Sequence, residues 1–454
     1  MAEGNRLLKP ETATGIAPVT LNPSWESKLA PQGLNGNGSS ILAKIAPVDK
    51  RRIVFFIFLL HGLGTLMPWN MFITAKSYFV DFKLNVTTGP DEMDYKGNFM
   101  QNLGFASQIP NLLFNWLNIF VDMGGDLTNR IVYSIIFEMI ILLVTIVMAM
   151  LDTIAWTGIF FWITMVSVVL LNVCNGIYQN TIYGLVASLP IEYTGAVVLG
   201  SNISGCFATI MSIICTAVFT SKRTSAIYYF VTAILILLLC FDSYFALPLN
   251  RFYRHYEKLN QSATKKSNAD SKSPARVPYW QVFKKASPQL FNIFFTFFVT
   301  LAVFPAVYSD IKPSNDDFFI SKDYFSLFTC FLTFNVFAML GSLTTSWIKW
   351  PSPKFLVIPV VLRVVFIPLM LLCNYRPSSV ERTAVVWFDN EWIYWSFGVV
   401  MSYSSGYLSS LGMMYAPQTV NAKYQITAGM FAAAILITGI FSGVMFAYLC
   451  PLLI

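Results

Sequence analysis

The stretch His61-Gly-Leu-Gly-Thr-Leu-Met-Pro-Trp-Asn70 lies inside the first long apolar run of the chain, Ile53 to Tyr78. That run is long enough to cross a bilayer, which takes ~20 residues. A segment built only as an anchor has no use for two glycines, a proline, a threonine and an asparagine at mid-depth. Pro68 removes one backbone hydrogen bond and bends the helix, and the freed carbonyl needs another partner. Trp69 then offers a broad aromatic face, and Asn70 an amide that both donates and accepts. Two readings follow: a closely packed Gly/Pro helix with a structural amide, or a pathway helix that stacks on and hydrogen-bonds a polar, planar solute.

Working outward, further apolar segments recur at about 99–121, 131–151, 157–187, 193–219, 226–248, 289–308, 323–347, 354–374, 391–414 and 424–450. With the first, they predict an all-α polytopic membrane protein of eleven transmembrane helices. Composition agrees, being 56% hydrophobic and 12% charged against about 25% charged in soluble domains, with mean hydropathy +0.59. Residues 1–52 read as a Pro/Gly/Asn/Ser-rich disordered cytoplasmic tail. Residues 53–250 read as a six-helix bundle, 251–288 as a basic cytoplasmic loop, and 289–454 as a five-helix bundle. No apolar h-region stands in residues 1–50, so the first span is expected to act as the insertion signal. Glu3-Gly-Asn-Arg-Leu7-Leu8 has the spacing of an acidic dileucine sorting signal.

The net charge of +7 is local, with seven Lys/Arg in the tail and nine between Arg251 and Lys285. It reads as a topology signal rather than a nucleic-acid footprint. Counting Lys/Arg loop by loop gives 20 on the assigned inside and eight on the outside, which places the N-terminus in the cytoplasm. Asn85-Val86-Thr87 then falls outside, as a glycosylation acceptor. The seven cysteines lie nearly all within apolar segments and read as small packing residues. Two histidines, with no clustered Cys/His/carboxylate spacing, argue against a metal site. No nucleophile–base pair supports an enzyme, and no cofactor is expected. The expected partners are a small-molecule solute and the lipid bilayer.

Polar residues inside the spans fall into stripes at helical spacing: Asn172, Asn175 and Gln179; Gln101, Gln108 and Asn115; Ser402, Ser405 and Ser409; Asn335 and Ser342; Ser201, Asn202 and Ser204 beside Gly200 and Gly205. The serines and glycines read as helix–helix glue. Asn70, Gln179 and Asn335 read as the lining of a cavity. Glu138 and Arg363 are charges within spans, each readable as a coupling site or as half of a buried pair. A pathway of neutral amides and aromatics suits a neutral solute better than an ion.

The chain resembles the equilibrative nucleoside transporter family over all the spans, on several motifs together. They are Gly62-Leu-Gly-Thr-Leu-Met-Pro-Trp-Asn70, Gln179 with Tyr183-Gly-Leu185, Arg251-Phe-Tyr-Arg-His-Tyr256, Phe304-Pro-Ala-Val307, Phe331-Leu-Thr-Phe-Asn335, Ser405-Gly-Tyr-Leu408 and Thr427-Ala-Gly429. The resemblance implies a pseudo-symmetric 6+5, major-facilitator-like arrangement and facilitated diffusion of nucleosides, in some members nucleobases or organic cations, by alternating access. It puts Leu66, Trp69, Gln179, Phe331 and Asn335 at the substrate cavity, beside Asn70. Ile73 and Pro305 match the outer gate and Arg130 the inner gate.

The chain departs from the family pattern in span 8. An Asp three residues after Asn335, and an Arg four further on, are replaced by Ala338 and Ser342. The acid expected to face Arg130 is Gln425, the Asn of the span 10 motif is Ser405, and a glycine four before Gln179 is Asn175. Losing Asp and Arg together strands no charge, so the expectation is an intact fold with altered selectivity. The alternatives are a transporter-like binding or sensing protein without appreciable flux, and a carrier for another small polar or cationic solute. The plasma membrane is the expected location, with the late endosome or lysosome as the alternative.

Overall fold

The computed structural model describes residues 47–75, 78–84, 99–121, 126–269, 277–314, 318–320, 325–377 and 382–454. Asn85, the tail motif and the residues between these ranges lie outside the described residues. From Val48 onward the chain forms one compact unit, and it is helical. The helices are α1 (Ile53–Thr74), α2 (Phe99–Phe120), α3 (Leu127–Met150), α4 (Thr157–Val186), α5 (Ile191–Val218), α6 (Lys222–Ala246), α7 (Arg251–Ala269), α8 (Tyr279–Val303), α9 (Phe328–Thr344), α10 (Val357–Leu371), α11 (Glu391–Tyr415) and α12 (Gln425–Ala447). Among the described residues, seven helical segments are long and apolar enough to cross a membrane: those containing α1, α3, α4, α5, α6, α8 and α12. The helices α2 and α11 are as long but carry the amide and serine stripes, while α9 and α10 are apolar and shorter.

Local chemistry sets several helix starts. The Asp49 carboxylate accepts the backbone N–H groups of Val54 (3.3 Å) and Phe55 (3.2 Å), donors that open α1 without an intrahelical partner. Asn390 Oδ1 accepts from Trp392 (2.8 Å) and Ile393 (3.4 Å) and caps α11. Two helices reach into the segment 251–288 that reads as a loop. The helix α7 buries Phe252 and Tyr253 while Arg251 and Lys258 are exposed, and α8 starts at Tyr279. Lys284, Lys285 and Pro288 lower the hydropathy of that first stretch without stopping the helix.

Outer helices turn apolar faces outward. Phe137, Ile140 and Leu143 of α3 and Trp162, Val166 and Leu170 of α4 are all exposed, whereas Asn172, Asn175, Gln179 and Asn180 of α4 are buried. This inverts the soluble pattern and suits a lipid solvent. The most extensive pairings are α1 with α5, α8 with α12, α9 with α11, and α2 with α4. Small residues allow these approaches. A Cβ on Gly62 would strike the Val197 carbonyl of α5, and one on Gly406 would strike the Ala338 carbonyl of α9. The segment α1–α6 meets α8–α12 along two faces, where α12 packs on α2 and α4 and α5 packs on α9 and α11.

Candidate functional site

The second face is built around four consecutive residues of α5, Asn202 to Gly205. Ser204 Oγ accepts from Asn70 Nδ2 of α1 at 3.0 Å. Gly205 lies against Asn335 of α9, where a Cβ would collide with the amide oxygen. Asn335 Nδ2 donates back to the Phe331 carbonyl at 3.0 Å. Asn202 Nδ2 donates to Ser342 Oγ of α9 at 2.6 Å. One turn of α5 thus brings together three expected site residues, Asn70, Asn335 and Ser342. The sequence signal is Gly200-Ser-Asn-Ile-Ser-Gly205, which reads as glue and acts as glue between α1, α5 and α9.

Ala338 and Ser342 are 2% and 1% exposed. Ser342 Oγ donates to the Gly406 carbonyl (3.2 Å) and lies 3.0 Å from Ser410 Oγ. Ala338 and Ser342, expected to stand in place of a charged pair, therefore form a small-residue contact that joins α9 to α5 and α11. The other serines act in the same way. Ser201 donates to the Gly62 and Val197 carbonyls, and Ser405 pairs with Thr300 at 2.9 Å.

Gln179 is 1% exposed, and its Oε1 has no hydrogen-bond partner among the described residues. Asn175, one turn earlier, is equally buried, with both amide atoms unpartnered among those residues. Leu66, Trp69 and Ile73 are half-buried along α1, and Trp69 packs on the main apolar core, to which α8 and α12 contribute as well as the first six helices. Phe331 lies in a π-helical turn, Leu327–Leu332, that forms the first part of α9; such turns are frequent at functional sites. Its ring meets Phe304 edge-on at 5.8 Å, and Phe304 stacks on Phe334 at 3.7 Å. Pro305 follows Phe304 and is exposed.

At the end of the bundle where α1 begins, Arg130 donates to Asn118 of α2, to both its carbonyl and its Oδ1, at 3.1 Å each. Asn118 Nδ2 donates to Asn180 Oδ1 (2.9 Å) and Thr181 Oγ1 (3.0 Å), and Asn180 Nδ2 donates to the Met430 carbonyl of α12 at 2.8 Å. This relay runs through α3, α2 and α4 to α12 and closes the first face. Asn118 and Asn180 had no role in the sequence reading, because only the fold shows that their stripe reaches another helix. Gln425 lines a cavity of about 260 Å³ at the same end, with Ser188, Thr194, Tyr256, Met414 and Gln418. Of the expected site residues, Gln425 alone belongs to that lining; the cavity is a vestibule set apart from Trp69 and Gln179.

An apolar exterior, amide and serine stripes turned inward and two helix groups meeting along two faces give a fold like that of solved major-facilitator transporters. The structure of the major facilitator proton:xylose symporter XylE bound to 6-bromo-6-deoxy-D-glucose matches with a TM-score of 0.59 at 9% identity, over 89% of this chain and 90% of that one. Residues 165–452 match the nucleoside transporter family. Human equilibrative nucleoside transporter 1 is 30% identical, over 89% of this chain and 98% of that protein. Rat equilibrative nucleoside transporter 3 is also 30% identical, over 82% and 83%. The chain belongs to the nucleoside transporter family, a family of multi-pass membrane transporters rather than enzymes.

Proposed function

We propose that this protein moves nucleosides, and possible companions such as nucleobases, down their gradients by alternating access. In this reading the chain crosses the membrane eleven times, as a six-helix half (α1–α6) and a five-helix half (α8–α12) that rock against each other. The repeat of pairings supports it: α1 with α5 and α2 with α4 in one half, α8 with α12 and α9 with α11 in the other. The contacts between the halves repeat as well.

The observation that carries the reading is Gln179. A buried amide oxygen at mid-span is costly unless something donates to it, and a nucleoside carries such donors on base and ribose. Trp69 and Leu66 supply the apolar face for the base, with Phe331 opposite and the Asn70 and Asn335 amides nearby. Ile73 and Pro305 form the outer gate; Arg130, with Gln425 at the vestibule, forms the inner one. Ala338 and Ser342 remove a charged pair and so shift selectivity toward less polar solutes. The plasma membrane is the proposed location, with a glycan on Asn85; the endolysosomal membrane is the alternative.

A binding or sensing protein without flux is the second reading, favoured by the Asn202–Ser342 bond, which fastens the two halves together. Uptake of labelled adenosine, uridine and hypoxanthine into cells lacking their own carriers separates the two. Saturable uptake that falls by roughly tenfold or more in Gln179→Ala is expected, because a lost buried hydrogen bond to substrate is worth ~1.5 kcal/mol or more. Absence of uptake with normal surface expression would reject transport.

A further inference from the structure

Glu138 stands midway along α3, 0% exposed, and neither carboxyl oxygen has a hydrogen-bond partner among the described residues. The ionisable groups in electrostatic range come from the helices packed on it: Cys174 and Tyr178 of α4, and Cys240 of α6. Behind Tyr178 lies His61 of α1, whose Nδ1 is 2.7 Å from the phenol oxygen. The imidazole is fully buried, its Nε2 has no partner among the described residues, and Tyr244 of α6 meets its ring edge-on at 5.8 Å. No lysine or arginine figures among these neighbours.

We propose that Glu138, Tyr178 and His61 form a proton-binding site, and that its bound proton sets the rate of solute movement; the coupling to movement rests on the transport reading above. An ion of either sign at this depth requires a partner. Among the described residues, the packing around Glu138 offers no lysine or arginine, so it accommodates the acid form. The cluster is also too full for a metal cation. A Cβ on Gly64 alone would come within 2.6 Å of Cys240 Sγ and 3.3 Å of the Tyr178 hydroxyl.

The proton balance is simple. A proton from water adds to one Glu138 oxygen and gives the neutral acid; release returns it to water and leaves the carboxylate. With the imidazole proton on Nδ1, His61 donates to the Tyr178 oxygen; the Tyr178 O–H lies against the Cys240 thiol and turns from it to the carboxylate when the proton leaves. Coupling follows from chain position. Tyr178 adjoins Gln179 on α4, and His61 precedes Trp69 on α1 by about two turns. A charge that re-aims Tyr178 therefore acts on the two helices that carry the proposed cavity wall.

The test uses the full chain in liposomes, with equal pH inside and out. Wild-type uridine uptake should fall by roughly threefold or more as the pH is raised from acid to alkaline over the range in which the protein stays folded, as a single proton is lost. Glu138→Gln, which mimics the acid form, should stay flat near the acid value. Tyr178→Phe should keep uptake but move the midpoint. A flat wild-type profile, or a Glu138→Gln variant with the wild-type slope, would overturn the proposal. If Glu138→Gln fails to fold, the wild-type and Tyr178→Phe profiles decide by the same criteria. If nothing is taken up at any pH, the transport reading fails on its own. The site is then judged by thermal melting in detergent: a pH dependence in wild type that Glu138→Gln lacks supports it, and identical dependences reject it.

Discussion

Arg363 in α10 and Glu138 in α3 are both buried ionisable residues within membrane helices, and their surroundings differ completely. Arg363 donates to the Thr296 carbonyl (2.7 Å), Thr300 Oγ1 (2.9 Å), the Met401 carbonyl (3.1 Å) and Ser404 Oγ (3.1 Å). Glu138 has no hydrogen-bond partner among the described residues. The difference follows from what a helix surface supplies. Backbone carbonyls keep a second lone pair after the helical bond is made, whereas every interior N–H is already spent. A guanidinium can therefore be satisfied by helix backbones, whereas a carboxylate needs side-chain donors, and none reaches Glu138 among the described residues. The first becomes a clamp joining α8, α10 and α11; the second takes up a proton.

Removing the clamp is the severest challenge to this contrast. Arg363→Leu should cost about 3 kcal/mol or more, because it orphans acceptors that served a charged donor. The loss should appear as a lower melting temperature and less monodisperse protein on size-exclusion chromatography. Wild-type stability in that variant would show that the four bonds hold nothing. A second cation placed in the same half sharpens the point. Ser342→Arg has no comparable ring of acceptors and would force α9 from α5 and α11, costing about 1–3 kcal/mol by overpacking. Adding Ala338→Asp should recover part of the melting temperature; if Ser342→Arg alone melts like wild type, the contact is looser than its hydrogen bonds imply. The smallest effect belongs to Glu138→Gln, which should change stability at acid pH by about 0.5 kcal/mol or less, since it exchanges one neutral group for another. A loss matching that of Arg363→Leu would mean that Glu138 is structural.

Much of the fold was legible because apolar length needs no partner to be read. The segments expected at 157–187 and 391–414 are the helices Thr157–Val186 and Glu391–Tyr415. The start of α8 was hidden because hydropathy reports lipid contact, while Tyr279 to Ser287 form a helix that is polar on one side. The helix α7 escaped for the same reason, although Phe252, Tyr253 and Tyr256 carry the helical period. Within the site, the stripes on α4 and α9 were readable from spacing. What they touch was not: the seat of Asn335 on Gly205 and the reach of Asn180 to Met430 depend on distant helices brought together by the fold. Asn70 shows the limit from the other side. Its amide reads as cavity lining, and the structure commits its Nδ2 to Ser204 of α5, the contact that the packing reading of α1 expects.

The turn of α5 from Asn202 to Gly205 has one further consequence. Successive residues point ~100° apart around a helix, so this turn addresses α1 and α9 from different sides of a single rod. Such a rod behaves like a camshaft. Any twist that loosens the α1 seat must also shift the α9 follower, and neither wall can be retuned alone. Tolerated substitutions in this turn should therefore arise in compensating pairs, with one change on α5 and its partner on a neighbouring helix.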